Sequence, residues 1–216
     1  MPEQPVRAAD YDSFFLWAGV TPPAVLDRAK SVYVLAGEVR ANDNTRFVRL
    51  RPEAPSASHA EIWLVLRVER LDWEPEVTRQ LLGELARWKA AGANMQGVQV
   101  DFDSATMQLG RYAEFLETLR ADLPKGTRLS ITGLMDWSAN GDPAALAALG
   151  AVVDEVVIQT YQGRKTIPGY ENYLASLARL DFPYKVGLVD GGEWRAPAGL
   201  ARDPDFKGYV VFVLPR

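Results

Sequence analysis

Short apolar segments recur along the whole chain and alternate with longer segments of helical periodicity. Eight of the short segments are rich in Val, Ile and aromatic residues and are bounded by Gly, Pro or Asp, which is typical of β-strands. The predicted strands cover residues 14–20, 32–39, 62–69, 97–103, 128–136, 156–161, 184–189 and 209–214.

Four of the segments between predicted strands have the periodicity of helices. In the first, apolar residues recur every three or four positions, Pro75 stands near the start and Gly92 follows the end. Asp142 before Pro143 has the pattern of an N-cap followed by a first-turn proline, and it opens a short third helix. The predicted helices are Glu74–Ala91, Gln108–Asp122, Ala144–Leu149 and Gly169–Leu180.

Strands that alternate with helices are typical of a parallel sheet with helical crossovers. Eight strands predict an α/β fold, a compact (β/α)8 TIM barrel. Residues 1–216 would form one domain, with residues 1–12 as an irregular N-terminal extension. At 216 residues the chain is close to the lower limit of this fold, about 200 residues. Short or missing helices are therefore expected, above all between strands two and three and between strands seven and eight.

An open, doubly wound sheet is the structural alternative to the barrel. Such sheets commonly carry a glycine-rich phosphate loop, and neither GxGxxG nor GxxxxGK[ST] occurs in this sequence. The sequence therefore favours the closed barrel.

Composition excludes several classes of function. The net charge of −4 provides no basic excess for a phosphate backbone, so no nucleic-acid partner is predicted. The absence of Cys excludes thiol catalysis and zinc–thiolate sites, and the single histidine, His59, argues against a multi-histidine metal site. No apolar run of 18 residues predicts a membrane span, and the polar N-terminus has no leader-like apolar region, which leaves the cellular location open.

Polar residues gather at the C-terminal ends of the predicted strands. In a parallel barrel alternate side chains point inward, and the active site lies at these C-terminal ends. We therefore expect one polar cup in which several carboxylates raise one another's pKa, as general acid catalysis requires. Its expected members are Glu38, Arg67, Glu69, Asp101, Asp103, Asp136, Gln159 and Tyr161.

Asp101 and Asp103 lie on the same face of one predicted strand, with Cα atoms about 6.6 Å apart. Two carboxyl groups beside a bond are the minimum requirement for glycoside hydrolysis. Trp137 and Trp194, just beyond strands five and seven, are candidates for stacking on sugar rings. Each candidate also has a structural interpretation: strand-end acids anchor loops, tryptophans pack loops, and Arg67 forms ion pairs that hold the cup together.

No metal and no cofactor are predicted. The acidic cup has oxygen ligands of the kind that divalent cations bind, but the sequence contains no loop-spaced series of such ligands.

Several long segments resemble a bacterial family known as domain of unknown function 3142. They are FFLWAGV, GVQVDFDSAT, LSITGLMDWSANGDP, QTYQGRKTIPGY and FKGYVVFVLP, and together they extend the resemblance over nearly the whole chain. The family name implies no activity.

The segment QGVQVDFD is similar to the strand-four motif DGxDxDxE of family-18 chitinases and related barrels. Gly97 and Asp101 match, whereas Gln96 and Gln99 replace two acids, and the motif's catalytic glutamate falls on Asp103. IQTYQG resembles the strand-six segment MxYD, in which the tyrosine assists catalysis. This resemblance implies a catalytic role for Tyr161.

Together these features predict a glycoside hydrolase that acts on a polysaccharide or oligosaccharide. Asp103 would be the general acid and Asp101 its orienting partner. Two alternatives remain: a non-catalytic barrel that binds carbohydrate in the same cup, and a scaffold protein in which Arg67 neutralises the acids. A carbohydrate is the predicted ligand, and the oligomeric state is left open. The predicted substrate-binding or positioning residues are Glu38, Arg67, Glu69, Asp136, Trp137, Gln159, Tyr161 and Trp194.

Overall fold

The computed structural model describes residues 3–54, 59–103, 105–174 and 180–214. Eight strands pair in parallel, each with its successor in the chain, and the eighth pairs with the first. The closed TIM barrel is thereby confirmed. The strands are β1 (Ser13–Leu16), β2 (Ser31–Val39), β3 (Glu61–Val68), β4 (Met95–Asp101), β5 (Arg128–Leu134), β6 (Glu155–Gln159), β7 (Tyr184–Val189) and β8 (Phe206–Val213).

Helices connect the strands from β3 to β7. The predicted cap of the short helix is present, because the Asp142 side chain accepts a hydrogen bond from the Ala145 N–H at 2.8 Å. The predicted helix over Gly169–Leu180 is seen in part, since residues 175–179 lie outside the described residues. The helices are α1 (Pro75–Ala90), α2 (Leu109–Asp122), α3 (Trp137–Asn140), α4 (Pro143–Val152) and α5 (Tyr170–Leu174).

In the described residues, the two crossovers predicted to lack helices do lack them. Between β2 and β3 the chain adds the two-residue strand Val48–Arg49, antiparallel to β2. Between β7 and β8 it forms the strand Glu193–Trp194, which pairs with Gln4–Pro5, and the 3₁₀ turn Leu200–Arg202. The β1–β2 crossover also has only a 3₁₀ turn, Ala24–Arg28. Because these three crossovers have no α-helix in their described residues, the barrel closes within 216 residues.

Alternation of side chains along the strands divides the apolar residues into two cores. Val98 and Val100 of β4 belong to the outer core, which packs against the helices. A smaller inner core fills the barrel and is rich in aromatic rings. In it Phe15 stacks on Phe212, with 4.4 Å between ring centroids. The outer core explains the helical stripes in the sequence, and the inner core explains the aromatic residues of the strands.

A buried polar cluster, here called the Glu155 cluster, occupies the N-terminal end of the barrel. It comprises Glu155, Tyr33, Ser130, Arg128 and Lys185. The Glu155 carboxylate accepts hydrogen bonds from the Tyr33 hydroxyl and, at 3.3 Å, from the Ser130 hydroxyl. The Lys185 Nζ lies 3.3 Å and an Arg128 guanidinium nitrogen 3.8 Å from the same carboxylate. This cluster satisfies a charge that would otherwise be costly to bury.

A β-bulge in β2 changes which side chain faces inward. Strict alternation places Glu38 on the same face as Val34 and Ala36. The register between β2 and β3 instead shifts between Leu35 and Gly37, so that Glu38 stands opposite Arg67. Alternation counted from the sequence therefore fails at this point, because a bulge inserts one residue into the count.

Gly97 lies where β4 and β5 approach most closely, and Gly97→Ala is expected to lower the free energy of unfolding by about 3 kcal/mol. The added Cβ would lie 2.1 Å from the carbonyl oxygen of Arg128 and 2.9 Å from the Trp63 ring. Gly83→Ala in α1 is the matched control, because no atom lies within 4 Å of its added Cβ. The control should gain up to about 1 kcal/mol from helix propensity. Urea unfolding measures both, and equal effects would contradict the proposed clash.

Candidate functional site

A cavity of about 830 Å³ opens at the C-terminal ends of the strands. This is the end at which TIM-barrel enzymes bind their substrates. Side chains from β3, β4, β5 and β6 or from the loops that follow them converge there. Six of the predicted site residues line the cavity: Arg67, Asp101, Asp103, Asp136, Gln159 and Tyr161.

Asp101, the last residue of β4, lies at the floor of the cavity and is only 7% exposed. The Thr132 hydroxyl, on the adjacent strand β5, donates a hydrogen bond to its Oδ1 at 2.7 Å. Burial raises the pKa of Asp101 to about 6, and the charge of Asp103 adds to that rise, whereas the Thr132 hydrogen bond and the Arg67 charge oppose it. Asp101 therefore keeps its proton into mildly acidic solution.

Asp103 and Tyr161 differ sharply in their exposure. Asp103 is an exposed residue two positions beyond Asp101 and faces the same cavity. Tyr161 is buried, with its ring centroid 4.9 Å from that of Phe212. Burial raises the pKa of Tyr161 well above its ordinary value, and the negative charges of Asp101 and Asp103 raise it further. Its hydroxyl is thus a hydrogen-bond donor across the physiological pH range.

Asp136 and Gln159 complete the polar wall. Gln159 is the last residue of β6, and Asp136 immediately precedes α3. The Asp136 Oδ1 atom is buried and has no hydrogen-bond partner among the described residues. A buried carboxylate oxygen without a partner is unusual in a folded protein, and it is a natural place for a ligand hydroxyl to donate.

Trp17 lines the same cavity and was not among the predicted site residues. It follows the last residue of β1, and the Arg67 guanidinium lies 5.9 Å from the centre of its ring. Arg51 fixes the backbone around it by donating to the carbonyl oxygens of Trp17 and Val20 at 3.1 and 3.0 Å. The predicted strand over residues 14–20 placed Trp17 mid-strand, whereas the observed strand ends at Leu16 and leaves Trp17 at the strand end, beside the acids.

Two predicted acids lie outside the cavity lining. Glu38 forms an ion pair with Arg40, with 2.6 Å between Nε and Oε1. Glu69 is exposed and accepts a hydrogen bond from the Ala41 N–H at 2.8 Å, which holds the loop after β2. Both carboxylates therefore anchor neighbouring loops rather than face the cavity.

The two predicted sugar-stacking tryptophans also lie outside the lining. Trp137 has no exposed surface and packs in the outer core, with its ring 6.4 Å from that of Tyr112. Trp194 is 7% exposed and stacks on Tyr170 at 4.8 Å. Neither indole face is open to a ligand, because α3 begins directly after β5 and buries Trp137, while the strand pair with the N-terminal segment buries Trp194.

The described residues contain neither an evident metal site nor a membrane-spanning helix. Within these ranges no group of three or more His, Asp or Glu side chains is arranged to hold a metal ion. In the same part of the chain, no helix combines the length and the apolar character needed to cross a bilayer.

Solved structures with the same barrel include enzymes and a lectin. The spore cortex-lytic enzyme SleL of Bacillus cereus shares 18% identity over 87% of this chain, with a TM-score of 0.59. The chitinase domain of the spore coat protein CotE from Clostridium difficile shares 12% identity over 82% of the chain, with a TM-score of 0.58. The tamarind chitinase-like lectin shares 9% identity over 94% of the chain, with a TM-score of 0.56.

The extent of these matches differs among the three structures. The chain covers 51% of the SleL structure and 64% of the CotE domain, but 94% of the lectin. At such low identities the likeness establishes only the fold, a chitinase-like TIM barrel. Both enzymes and a lectin have this fold.

Sequence comparison places the chain in a family. No curated protein matches its sequence significantly. Residues 60–172, just over half of the chain and containing β3 through β6, match a family defined by its sequence profile. The matched range holds all six predicted residues that line the cavity. The chain thus belongs to the family described as "Domain of unknown function (DUF3142)".

Proposed function

We propose that this chain is a glycoside hydrolase that acts on an oligosaccharide or polysaccharide, with Asp101 and Asp103 as its carboxyl pair. The observation that carries the proposal is the buried carboxyl of Asp101, with its pKa raised to about 6, on the floor of the large cavity. A second carboxylate, Asp103, faces the same cavity. Glycoside hydrolysis requires one carboxyl that carries a proton and one that carries a charge.

The two carboxyls have different environments and hence different proposed roles. Asp103 is exposed to the cavity and would deliver the proton to the leaving glycosidic oxygen. Asp101 lies deeper, is fixed by Thr132, and would orient the reacting group while sharing the proton of the pair. The charge of Asp103 adds to the rise in the pKa of Asp101, so Asp101 would hold the proton that Asp103 passes to the glycosidic oxygen.

The remaining wall of the cavity would position the sugar. The Tyr161 hydroxyl supplies a donor, and the Asp136 carboxylate supplies an acceptor whose Oδ1 has no partner among the described residues. Gln159 offers both a donor and an acceptor at the end of β6. These groups suit the hydroxyls of a sugar ring.

A non-catalytic carbohydrate-binding barrel is the second candidate. It is favoured by the length of Asp103, which is one methylene shorter than the glutamate at the equivalent position of the chitinase-like motif. The shared fold with a lectin agrees with it. In this case the same cavity binds sugar, but the acid does not reach the glycosidic oxygen.

The scaffold alternative has less support. It requires Arg67 to neutralise Asp101 and Asp103 in a closed ion-pair network. Among the described residues, Arg67 forms no ion pair within 4.0 Å, and the cavity is open to solvent.

Hydrolysis is expected to be fastest below about pH 6 and to decline as the pH rises through that value. The reason is that the proton held by the carboxyl pair is lost above the pKa of Asp101, which is about 6. The measurement is release of reducing ends from chito-oligosaccharides and from neutral and acidic plant and bacterial oligosaccharides between pH 4 and 8. Binding of a sugar without turnover anywhere in this range would replace the hydrolase with the carbohydrate-binding candidate.

A further inference from the structure

Arg67 is a cation in the cavity, and the acids on the two neighbouring strands contact other groups. In the strand register it stands between Glu38 of β2 and Asp101 of β4. Glu38 pairs instead with Arg40, and the Asp101 Oδ1 accepts from Thr132. No carboxylate in the described parts of the chain lies within 4.0 Å of the Arg67 guanidinium.

Many arginines of this protein are neutralised by an acid. Among the described residues, eight arginines form ion pairs with Asp or Glu. These are Arg40, Arg49, Arg70, Arg79, Arg87, Arg120, Arg128 and Arg195. Arg67 lines the cavity, as Arg164 does, and its strand neighbours Glu38 and Asp101 contact Arg40 and Thr132 instead. The N–H groups of Arg67 can therefore donate hydrogen bonds to a ligand in the cavity.

The position of the Arg67 guanidinium is fixed by aromatic packing. It lies 5.9 Å from the centre of the Trp17 ring, and the Trp17 ring is held by Phe15 at 5.1 Å between centroids. Arg51 secures the backbone of Trp17 from behind. An arginine held in this way loses little side-chain freedom when it binds a ligand, because most of that freedom is already lost.

A neutral sugar offers the Arg67 guanidinium no anionic partner. When a ligand fills the cavity it displaces water from the guanidinium, and a cation that loses water without gaining an anionic partner destabilises the complex. A carboxylate matches the planar fork of arginine N–H groups with two parallel hydrogen bonds. The free guanidinium therefore selects for a ligand that carries a carboxylate.

We propose that the cavity binds a saccharide bearing a carboxylate, of the uronic-acid type, and that Arg67 holds that carboxylate. The inference rests on the proposed function only in that both use the same cavity. It names the substrate class and makes Arg67 a specificity-determining residue, whereas Asp101 and Asp103 carry the chemistry.

The test measures binding by isothermal titration calorimetry with trimers of galacturonic, glucuronic and mannuronic acid. Each trimer is compared with its own methyl ester, which keeps the ring and removes the charge. At least one acid should bind the wild type tenfold or more tightly than its ester. Arg67→Gln should weaken binding of that acid at least tenfold and should not weaken binding of the ester, and Arg67→Lys should give an intermediate loss for the acid.

Arg79→Gln is the control, because Arg79 is an exposed arginine on α1 that pairs with Glu76 and does not line the cavity. Its affinity for every trimer should equal that of the wild type. Thermal unfolding confirms that the Arg67 variants are folded, and the lysine variant keeps the test informative if the glutamine variant is not.

The outcomes separate this inference from the proposed function. The carboxylate assignment would be overturned by equal affinity for acid and ester or by no binding of any acid. It would also be overturned if a sulfated trimer without carboxylates bound as tightly as the acid. Hydrolysis of neutral oligosaccharides alone would also overturn it while supporting the hydrolase. Tight, Arg67-dependent binding of an acid without turnover would support the inference while the hydrolase fails.

Discussion

Replacing Asp103 with Asn is expected to reduce the rate of hydrolysis by 10²- to 10⁴-fold, the usual contribution of a general acid. The substitution keeps the size of the side chain and removes its titratable proton. Because Asp103 is exposed, the fold should be unaffected. Substrate affinity should change little, since Arg67, Tyr161 and Gln159 still line the cavity. The measurement is kcat and KM on the best substrate, together with thermal unfolding.

Asp101→Asn should also abolish activity. Unlike Asp103→Asn, it should change the stability of the protein. The pKa of Asp101 is raised from 3.8 to about 6 by burial, so the folded state binds its proton more tightly than the unfolded state does. Between those two pH values the free energy of unfolding of the wild type therefore falls as the pH rises, by about 3 kcal/mol at most. The neutral amide avoids this loss, so the variant should be the more stable protein above about pH 6 and gain nothing below about pH 4.

Asp72→Asn is a control of opposite sign. Asp72 is exposed, and its hydrogen bonds from Arg70 lower its pKa to about 2. Its contribution to stability is present above the unfolded pKa and is lost as the pH falls towards 2, so its loss should destabilise the protein at neutral pH. If Asp101→Asn and Asp72→Asn shifted the unfolding midpoint in the same direction at pH 8, the environment assigned to Asp101 would be wrong. Unchanged turnover in both Asp101→Asn and Asp103→Asn would rule out the proposed hydrolase mechanism.

Glu155→Ala is expected to lower the free energy of unfolding by about 3–5 kcal/mol, the cost of breaking a buried ion pair. The substitution leaves the Lys185 ammonium group, only 14% exposed, without its carboxylate, and removes the acceptor of the Tyr33 and Ser130 hydroxyls. Urea unfolding at neutral pH measures the loss. Glu155→Gln, which keeps one acceptor oxygen, should fall between the wild type and the alanine variant.

The exposed pair of Arg79 and Glu76 provides the comparison. Its side chains are 74% and 42% exposed, and exposed ion pairs contribute less than about 1 kcal/mol. Arg79→Gln should therefore have a small effect. An equally small effect of Glu155→Ala would show that the Glu155 cluster is not a stabilising element of the N-terminal end.

The architecture followed from the sequence because it depends on patterns that repeat. Every predicted strand overlaps an observed barrel strand, since period-two and apolar runs reflect burial on one or both faces. The two long helices, α1 and α2, were predicted within one residue at each end because Pro75 and Pro124 limit them, whereas α4 extends three residues beyond its predicted end. The short length of the chain predicted missing helices. Of the three crossovers without α-helices in the described residues, two were predicted, whereas the β1–β2 crossover was not.

The site was less predictable where it depended on local backbone geometry. The bulge in β2 is invisible to a count of alternate residues, and it changes the face on which Glu38 lies. Trp137 stands one residue beyond a strand-end acid, but the chain turns at once into α3 and carries the indole into the core. Asp101 and Asp103 both line the cavity. Alternation held up to Asp101 because β4 pairs in regular register with β5 and, from Gly97 onward, with β3, and Asp103 follows two residues beyond the end of the strand.

Closure of the barrel has a consequence for how the protein is made. Phe14 on β1 pairs with Val211 on β8, so the seam joins residues from nearly opposite ends of the chain. During synthesis on the ribosome, the edge of β1 next to the seam has no partner until β8 has emerged. Throughout that interval the chain presents open strand edges to other nascent chains. Closure of the seam is therefore expected to be a late step of folding, and the incomplete sheet is the stage most exposed to aggregation.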